Sequence, residues 1–414
     1  MAQKGEIYAP ASKSYLQRAM AIAALTSGRT VLKNVSWCDD TLIVKDIIQQ
    51  LGATVRQENR DFIIESGGLN IREDSFFVGE SGLALRMFCP VVALSGREVV
   101  LNGTGSLKTR PASVIAEALG QLGVDVSTGS DMCSPLSNHY LPIKIRGPLK
   151  SCKIEIDGSL TSQVLTGLLI AFPLVKGDSE IKVRNLKSKP YIDMTIEIMN
   201  RFGVSVAHHN YQTFFIKGNQ KYKPAQYEIE GDWSSAAFLL VAGAISGEVE
   251  IANLDYNSKQ ADKRIVTVLK SAGADVVINN DSVVVRKNNL NAFEFDATDC
   301  PDLFPPLACL GASCNGVSII KGVSRLKHKE SNRAVVLKKE FEKIGVRIEI
   351  VEDDMKIIGG NINGAVINSN GDHRIAMAAG VMNLVSMEEI VVTDSEVVNK
   401  SYPAFFKDVE RLGI

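Results

Sequence analysis

What this chain lacks narrows its possible roles first. It has no apolar run long enough to cross a bilayer; the longest, around Ala236 to Ile245, is about half a span. The opening Met1-Ala2-Gln3-Lys4-Gly5 has none of the apolar stretch of a secretory signal. Neither Cys-x-x-Cys nor His-Glu-x-x-His occurs, and no histidine cluster offers metal-ligand spacing, so no metal site is expected; His208-His209 lies in a strand-like stretch and reads as surface. The seven cysteines are odd in number and show no paired spacing, which speaks against a disulfide framework and for a reducing cytosol. An excess of one charge is missing too. Lys and Arg number 46 against 47 Asp and Glu, and the pI is about 6.6, without the basic surplus of a nucleic-acid or membrane-surface binder. With 45% hydrophobic and 22% charged residues, the expectation is a cytoplasmic globular protein with an ample core, and 414 residues suit two or three domains.

What is present is repetition. Six times a short strand leads into an apolar helix that opens at a polar turn. A second strand follows, then a charged helix that ends at a glycine before a hairpin. The lead strands read as Ile7-Tyr8-Ala9, Phe76-Phe77-Val78, Ile154-Glu155-Ile156, Tyr227-Glu228-Ile229, Phe293-Glu294-Phe295 and Ala365-Val366-Ile367. The apolar helices open near Ser12-Lys13-Ser14, Ser81-Gly82, Thr161-Ser162-Gln163, Asp232-Trp233-Ser234, Pro301-Asp302 and Asp372-His373-Arg374. The charged helices end at Gly52, Gly123, Gly203, Gly273, Gly345 and Gly413, about 70–80 residues apart, which is the length of one βαβαββ unit. Hairpins such as Val204-Ser205-Val206 with Phe214-Phe215-Ile216 close the copies. The sixth copy reaches Gly413-Ile414 before any hairpin, so the N-terminal strand is expected to serve either that copy or the first. The polar stretch from Gly218 to Pro224 marks the expected break between three copies and three.

The unusual polar residues recur where helices start. A helix start carries unpaired N–H groups and partial positive charge, so it seats anions. Lys13, Ser14 and Arg18 open the first helix, with Ser14 and Arg18 four apart on one face. Arg86 lies in an otherwise apolar helix just after Gly82, where backbone can approach a ligand closely. Arg110-Pro111 is expected to start the second helix of that copy, and Thr161-Ser162-Gln163 gathers three neutral hydrogen-bonding groups at the third apolar helix. Ser188-Lys189-Pro190-Tyr191 begins the next helix. In the fifth copy Asp302 opens one helix, and Lys329, Glu330 and Arg333 are expected to open another. Lys329 and Arg333 would then share a face, which is unfavourable without a bound anion. Burial of Asp302 or Glu330 would suit either to acid–base work. His373, Arg374 and Lys400 complete the series. Eight cations at equivalent element starts, with two carboxylates among them, point to small polyanions.

These motifs, taken together and in order, resemble those of the 5-enolpyruvylshikimate-3-phosphate synthase family over essentially the whole chain. The resemblance implies an α/β (α+β) protein of enolpyruvyl transferase fold, with two domains of three βαβαββ repeats each in pseudo-threefold arrangement, closing on substrates between them. The first domain would span 12–222, and the second 1–11 plus 223–414, completed by the N-terminal strand. The implied reaction moves the enolpyruvyl group of phosphoenolpyruvate to the 5-hydroxyl of shikimate 3-phosphate and releases phosphate, without metal or organic cofactor. Carried over by position, Lys13, Ser14, Arg18, Thr161, Ser162, Gln163, Ser188, Tyr191, Asp302 and Lys329 would hold shikimate 3-phosphate. Lys13, Gly82, Arg110, Gln163, Lys329, Arg333, Arg374 and Lys400 would hold phosphoenolpyruvate, with Arg86 and His373 in support. Asp302 would take the hydroxyl proton, Glu330 would protonate the vinyl carbon, and Lys13 completes the catalytic set. A cytoplasmic monomer with small-molecule partners only is expected.

The chain departs from the family's pattern at named places. Glu80-Ser81-Gly82-Leu83 stands where many members have Asn-x-Gly-Thr, which removes a hydroxyl near the phosphoenolpyruvate seat. Asn332 replaces an Asp, Arg325 stands where some members use Asn, and Thr161 replaces a Ser while keeping its hydroxyl. The related transferase acting on UDP-N-acetylglucosamine carries a reactive Cys before the position of Arg110; the loop Asn102 to Thr109 has none, and Lys13 is followed by Ser rather than Asn. A ring-like scaffold of repeated units would show neutral or uniformly basic helix starts, and a phosphate-cyclising enzyme of similar architecture would bind nucleotides and RNA ends, against the acidic pI.

Overall fold

The structure, a computed structural model, describes residues 5–59, 61–129 and 140–412. Twelve α-helices occur among the described residues: α1 (Lys13–Ala24), α2 (Asp39–Gln50), α3 (Gly82–Val92), α4 (Ser113–Gln121), α5 (Gln163–Ala171), α6 (Lys189–Arg201), α7 (Trp233–Ser246), α8 (Ile265–Ser271), α9 (Phe304–Ala312), α10 (Arg333–Lys343), α11 (His373–Asn383) and α12 (Phe405–Arg411). The odd-numbered ones are the apolar helices of the six copies. In α7 every residue from Ser235 to Ile245 is buried, as a helix apolar on all sides must be. Side chains of Ser81, Asp232 and Asp372 cap α3, α7 and α11 by accepting from backbone N–H groups, which holds these starts in place. The even-numbered helices are amphipathic. In α10, Ala334, Leu337 and Phe341 form the apolar stripe, spaced three and four apart.

The recurring glycines end these helices for one reason. Gly52, Gly123, Gly203, Gly273 and Gly345 all have positive φ. The residue after each reaches back to the helix, as in Ala53 N–H to the Ile48 carbonyl and Val346 N–H to that of Phe341, both at 3.0 Å. This left-handed closure satisfies carbonyls that a helix end leaves open. Gly413 lies outside the described residues.

The chain divides into two compact units, Lys13–Ile229 and the pair of segments ending at Ser12 and beginning at Glu230. In the first unit three four-stranded sheets each carry a lead strand parallel to its neighbour and an antiparallel closing hairpin. Within this unit α3 packs on α5, and α1 on α2 and α6. In the second, α7, α9 and α11 pack on one another to form the core.

The N-terminal strand Gly5–Tyr8 pairs in parallel with Glu248–Ala252, so it completes the fourth copy, neither the first nor the sixth. Conversely, the fourth lead strand, Gln226–Glu228, pairs in parallel with Ser27–Lys33 of the first copy. The two lead strands that precede a passage between units are thus exchanged, and each finds ladder partners in the unit the chain is about to leave. The unit boundary therefore falls after Ile229 rather than at 222, because residues 226–228 are hydrogen-bonded into the first copy's sheet. The sixth copy keeps two strands, Ala365–Asn368 and Ile390–Thr393. The third copy's hairpin is Ala207–His209 with Thr213–Ile216, later than the expected 204–206, and both its histidines are exposed.

Candidate active site

In the unit Lys13–Ile229, helix starts bring expected residues together. The Lys13 Nζ donates to Asp40 Oδ2 at 2.8 Å, and Gln17 Nε2 donates to the Asp40 carbonyl at 3.0 Å and to Ser81 Oγ at 3.4 Å. Ser81 caps α3, so the next residue, Gly82, is fixed beside two arginines. A Cβ at Gly82 would lie 2.8 Å from Arg86 Nη1 and 3.2 Å from Arg110 Nη1, so any larger residue there would displace these guanidinium ends. Arg86 Nη1 donates to the Gly82 carbonyl (3.2 Å) and to Gln163 Oε1 (3.3 Å). Arg110 Nη2 donates to Ser106 Oγ at 3.0 Å, and that hydroxyl donates to Glu80 Oε2 at 3.2 Å. Gly82, Arg86, Arg110 and Gln163 therefore form one cluster. Arg110 does not open α4; it ends the short 3-10 turn Gly105–Thr109, and the helix begins at Ser113.

Arg18, only 1% exposed, is gripped by neutral oxygens. Its Nε donates to Thr195 Oγ1 (2.9 Å), Nη1 to the Ser14 carbonyl (2.8 Å) and Nη2 to the Tyr191 carbonyl (3.4 Å). Burial pushes its pKa down to about 10, opposed by Tyr191 and Tyr15. Ser188, buried and with left-handed backbone, sits just before α6. Thr161 Oγ1 accepts the Gln163 N–H at 3.1 Å, and the buried Ser162 is the cap position of α5.

The second unit gathers charges of both signs. Asp302 lies in a 3-10 turn, Pro301–Leu303, ahead of α9 rather than in the α-helix itself. Its Oδ1 accepts from Lys329 Nζ (3.1 Å) and Arg333 Nη1 (3.0 Å), and its Oδ2 from Arg374 Nη2 (3.2 Å). Arg333 also donates from Nε to Asp372 Oδ2 (3.0 Å) and from Nη2 to Glu330 Oε2 (2.8 Å). Helix α10 begins at Arg333, so Lys329 and Glu330 precede it and the expected shared helix face does not form. The like charges of Lys329 and Arg333 meet instead around Asp302, whose carboxylate offsets their repulsion. Burial alone would push the Asp302 carboxyl up, but Arg374, then Lys329 and Arg333, outweigh it and hold it well below the usual carboxylate range. Burial lowers Lys329 against the pull of Asp302. Burial also disfavours the Arg333 cation, but Asp372, Glu330 and Asp302 raise its proton affinity overall. His373 is buried beside Asp372, at 4.0 Å, and Lys400 is buried at the end of the turn Ser395–Lys400, before α12 rather than in it.

Sequence reading missed the residues that hold these groups. Asp40, Gln17, Thr195, Ser106 and Glu80 position Lys13, Arg18 and Arg110. Asp372 was visible only as a neighbour of Arg374, and Asp262, buried next to this centre, gave no signal at all. Asp39-Asp40 at the start of α2 could have been flagged as acids facing a nearby cation, but acids at a helix start are ordinary. No grouping of three or more His, Cys, Asp or Glu that could hold a metal ion occurs among the described residues.

The fold is that of the enolpyruvyl transferases. EPSP synthase from Acinetobacter baumannii superposes with a TM-score of 0.82 at 24% identity, covering 99% of this chain and 96% of that one. The enolpyruvyl transferase NikO from Streptomyces tendae gives 0.77 at 16% identity, covering 99% and 94%. Sequence comparison goes further. The 3-phosphoshikimate 1-carboxyvinyltransferase of Clostridium novyi is 34% identical over 421 residues, 99% of this chain and 95% of that protein. That of Methanosarcina mazei is 37% identical over 420 residues, 99% and 96%. The EPSP synthase (3-phosphoshikimate 1-carboxyvinyltransferase) family matches residues 1–409, and the chain belongs to it.

Proposed function

We infer that this chain transfers the 1-carboxyvinyl group of phosphoenolpyruvate to the 5-hydroxyl of shikimate 3-phosphate, releasing phosphate, on the route to chorismate and the aromatic amino acids. Family membership over nearly the whole chain supports the reaction. For the division of labour among side chains, the carrying observation is that Asp302 and Glu330 share one buried arginine, Arg333, at 3.0 and 2.8 Å.

In this reading Lys13, Ser14, Arg18, Thr161, Ser162, Ser188 and Tyr191 hold shikimate 3-phosphate, and Gln163 reaches both substrates. Lys13, Gly82, Arg110, Lys329, Arg333, Arg374 and Lys400 hold phosphoenolpyruvate. Asp302 takes the 5-hydroxyl proton, and Glu330 delivers a proton to the vinyl carbon as the tetrahedral adduct forms. The charges couple these steps. While Lys329, Arg333 and Arg374 all grip Asp302, its carboxylate is a weak base. An anion that draws Lys329 and Arg374 to itself loosens that grip and strengthens Asp302 as proton acceptor. Binding of phosphoenolpyruvate thus readies the base for the hydroxyl. We also place the protein in the cytoplasm as a monomer; the six cysteines described are unpaired, as in a reducing compartment, and no helix among the described residues is long and apolar enough to cross a membrane.

Glu330→Gln tests the acid's role. Phosphate release at saturating substrates is expected to fall about 10²–10⁴-fold with little change in either KM. Near-normal turnover would remove Glu330 from proton transfer.

A further inference from the structure

Asp262 has no part in the mechanism above, yet it is set among the groups that do. It lies in the short turn Ala261–Arg264, only 1% exposed. Its Oδ2 accepts a close hydrogen bond from Ser234 Oγ at the start of α7, while its Oδ1 is buried without a hydrogen-bond partner. A buried carboxylate with an unsatisfied oxygen is costly, and the neutral, protonated acid is less so.

The surrounding charges fix how that cost is met. Its charged surroundings are Asp302, in the turn before α9, Arg374, at the start of α11, and Asp232, at the start of α7, each of which acts on it electrostatically. Cys300, also buried, feels the Asp262 charge from the same turn as Asp302. The cations of its own turn point elsewhere: Lys263 Nζ donates to the Tyr256 carbonyl at 3.1 Å, and Arg264 lies over the Phe295 ring. Burial first, then the Asp302 carboxylate, push the Asp262 carboxyl up to about 7; Arg374 and the Ser234 hydroxyl oppose this.

We propose that Asp262 is a positioning residue that tunes Arg374: with its proton on, it leaves the guanidinium to Asp302 and an incoming anion, and with its proton off, it competes with both. The inference rests on the assignment of Arg374 to phosphoenolpyruvate made above. By linkage, a proton on Asp262 and an anion on Arg374 favour one another, and each raises the affinity for the other by the same factor.

The test compares the KM for phosphoenolpyruvate in the full-length protein and in Asp262→Asn between pH 5.5 and 8.5. Both proteins meet the same substrate, so its own titration cancels in the ratio. The ratio of parent to variant KM is expected to rise about five-fold or more from the acid to the alkaline end, with kcat moving less. A ratio flat across that range overturns the proposal. Ser234→Ala supplies a second arm should Asp262→Asn fail to fold. Loss of the hydroxyl removes a bond that favours the charged form, so the midpoint of the KM rise moves to higher pH, and a fixed midpoint contradicts the proposal. Arg374→Ala separates the two layers. If it leaves the KM unchanged, the assignment of Arg374 fails; if it raises the KM while the Asp262→Asn ratio stays flat, only the role of Asp262 falls.

Discussion

Among the described residues two arginines are buried almost completely, one in each unit, and they are held in opposite ways. Arg18, at 1% exposure, is bound by a hydroxyl and two carbonyls, and burial lowers its pKa. Arg333, at 0%, is bound by the carboxylates of Asp302, Glu330 and Asp372, and these raise it. The contrast separates two uses of a buried charge. Arg18 keeps a net positive charge that an anion would satisfy, which suits a phosphate seat. Arg333 is already paired with three carboxylates, so in the proposed reaction it would fix Asp302 and Glu330 in position as well as meet phosphoenolpyruvate.

The contrast breaks most sharply at Arg333. Arg333→Met takes a charged partner from three carboxylates, two of them part-buried and one, Asp372, fully buried, and is expected to cost about 3–5 kcal/mol in denaturant unfolding. A loss under 1 kcal/mol would mean that Arg333 is no keystone. Arg18→Met removes a charge whose described hydrogen-bond partners are all neutral. The KM for shikimate 3-phosphate is expected to rise by about 1.5–3 kcal/mol, roughly 10–150-fold, while the KM for phosphoenolpyruvate changes little. Equal effects on both substrates would dissolve the distinction between the two arginines.

A pH series sharpens the comparison from the other side. Because cations depress the folded-state pKa of Asp302, its contribution to stability is present above the usual carboxylate pKa and is lost as pH falls through its lowered value. Asp302→Asn should therefore flatten the acid limb of a stability-against-pH curve, read by thermal denaturation, and an unaltered limb would place that proton uptake elsewhere. The smallest effect concerns architecture. Gly123 ends α4 with φ +68° and open space around its Cβ position, so Gly123→Ala should cost about 1–2 kcal/mol from left-handed strain alone. Gly52→Ala should cost more, because its Cβ would meet the Asn70 carbonyl oxygen at 2.8 Å.

Much of this was legible before any coordinates, and the reasons are physical. A glycine that must be left-handed and a helix apolar on all sides leave marks in a single stretch of chain, so the copies could be read from Gly52 to Gly345. The cations could be read because charge at a helix start is conspicuous. Their partners could not. Asp40 is 27 residues from Lys13, Thr195 is 177 from Arg18, and Asp372 is 39 from Arg333, so only the fold brings them together. The exchange of lead strands was hidden for the same reason, since Gly5–Tyr8 and Gln226–Glu228 carry similar alternation and either could fill either sheet. The position of Lys329 and Glu330 ahead of α10 was misjudged because i, i+4 spacing implies a shared face only inside a helix.

The account's central claim concerns which acceptor takes the enolpyruvyl group, and phosphate release measures it directly. With phosphoenolpyruvate present, release is expected when shikimate 3-phosphate is added and absent when UDP-N-acetylglucosamine replaces it. Release with the nucleotide sugar, or none with shikimate 3-phosphate, would contradict it.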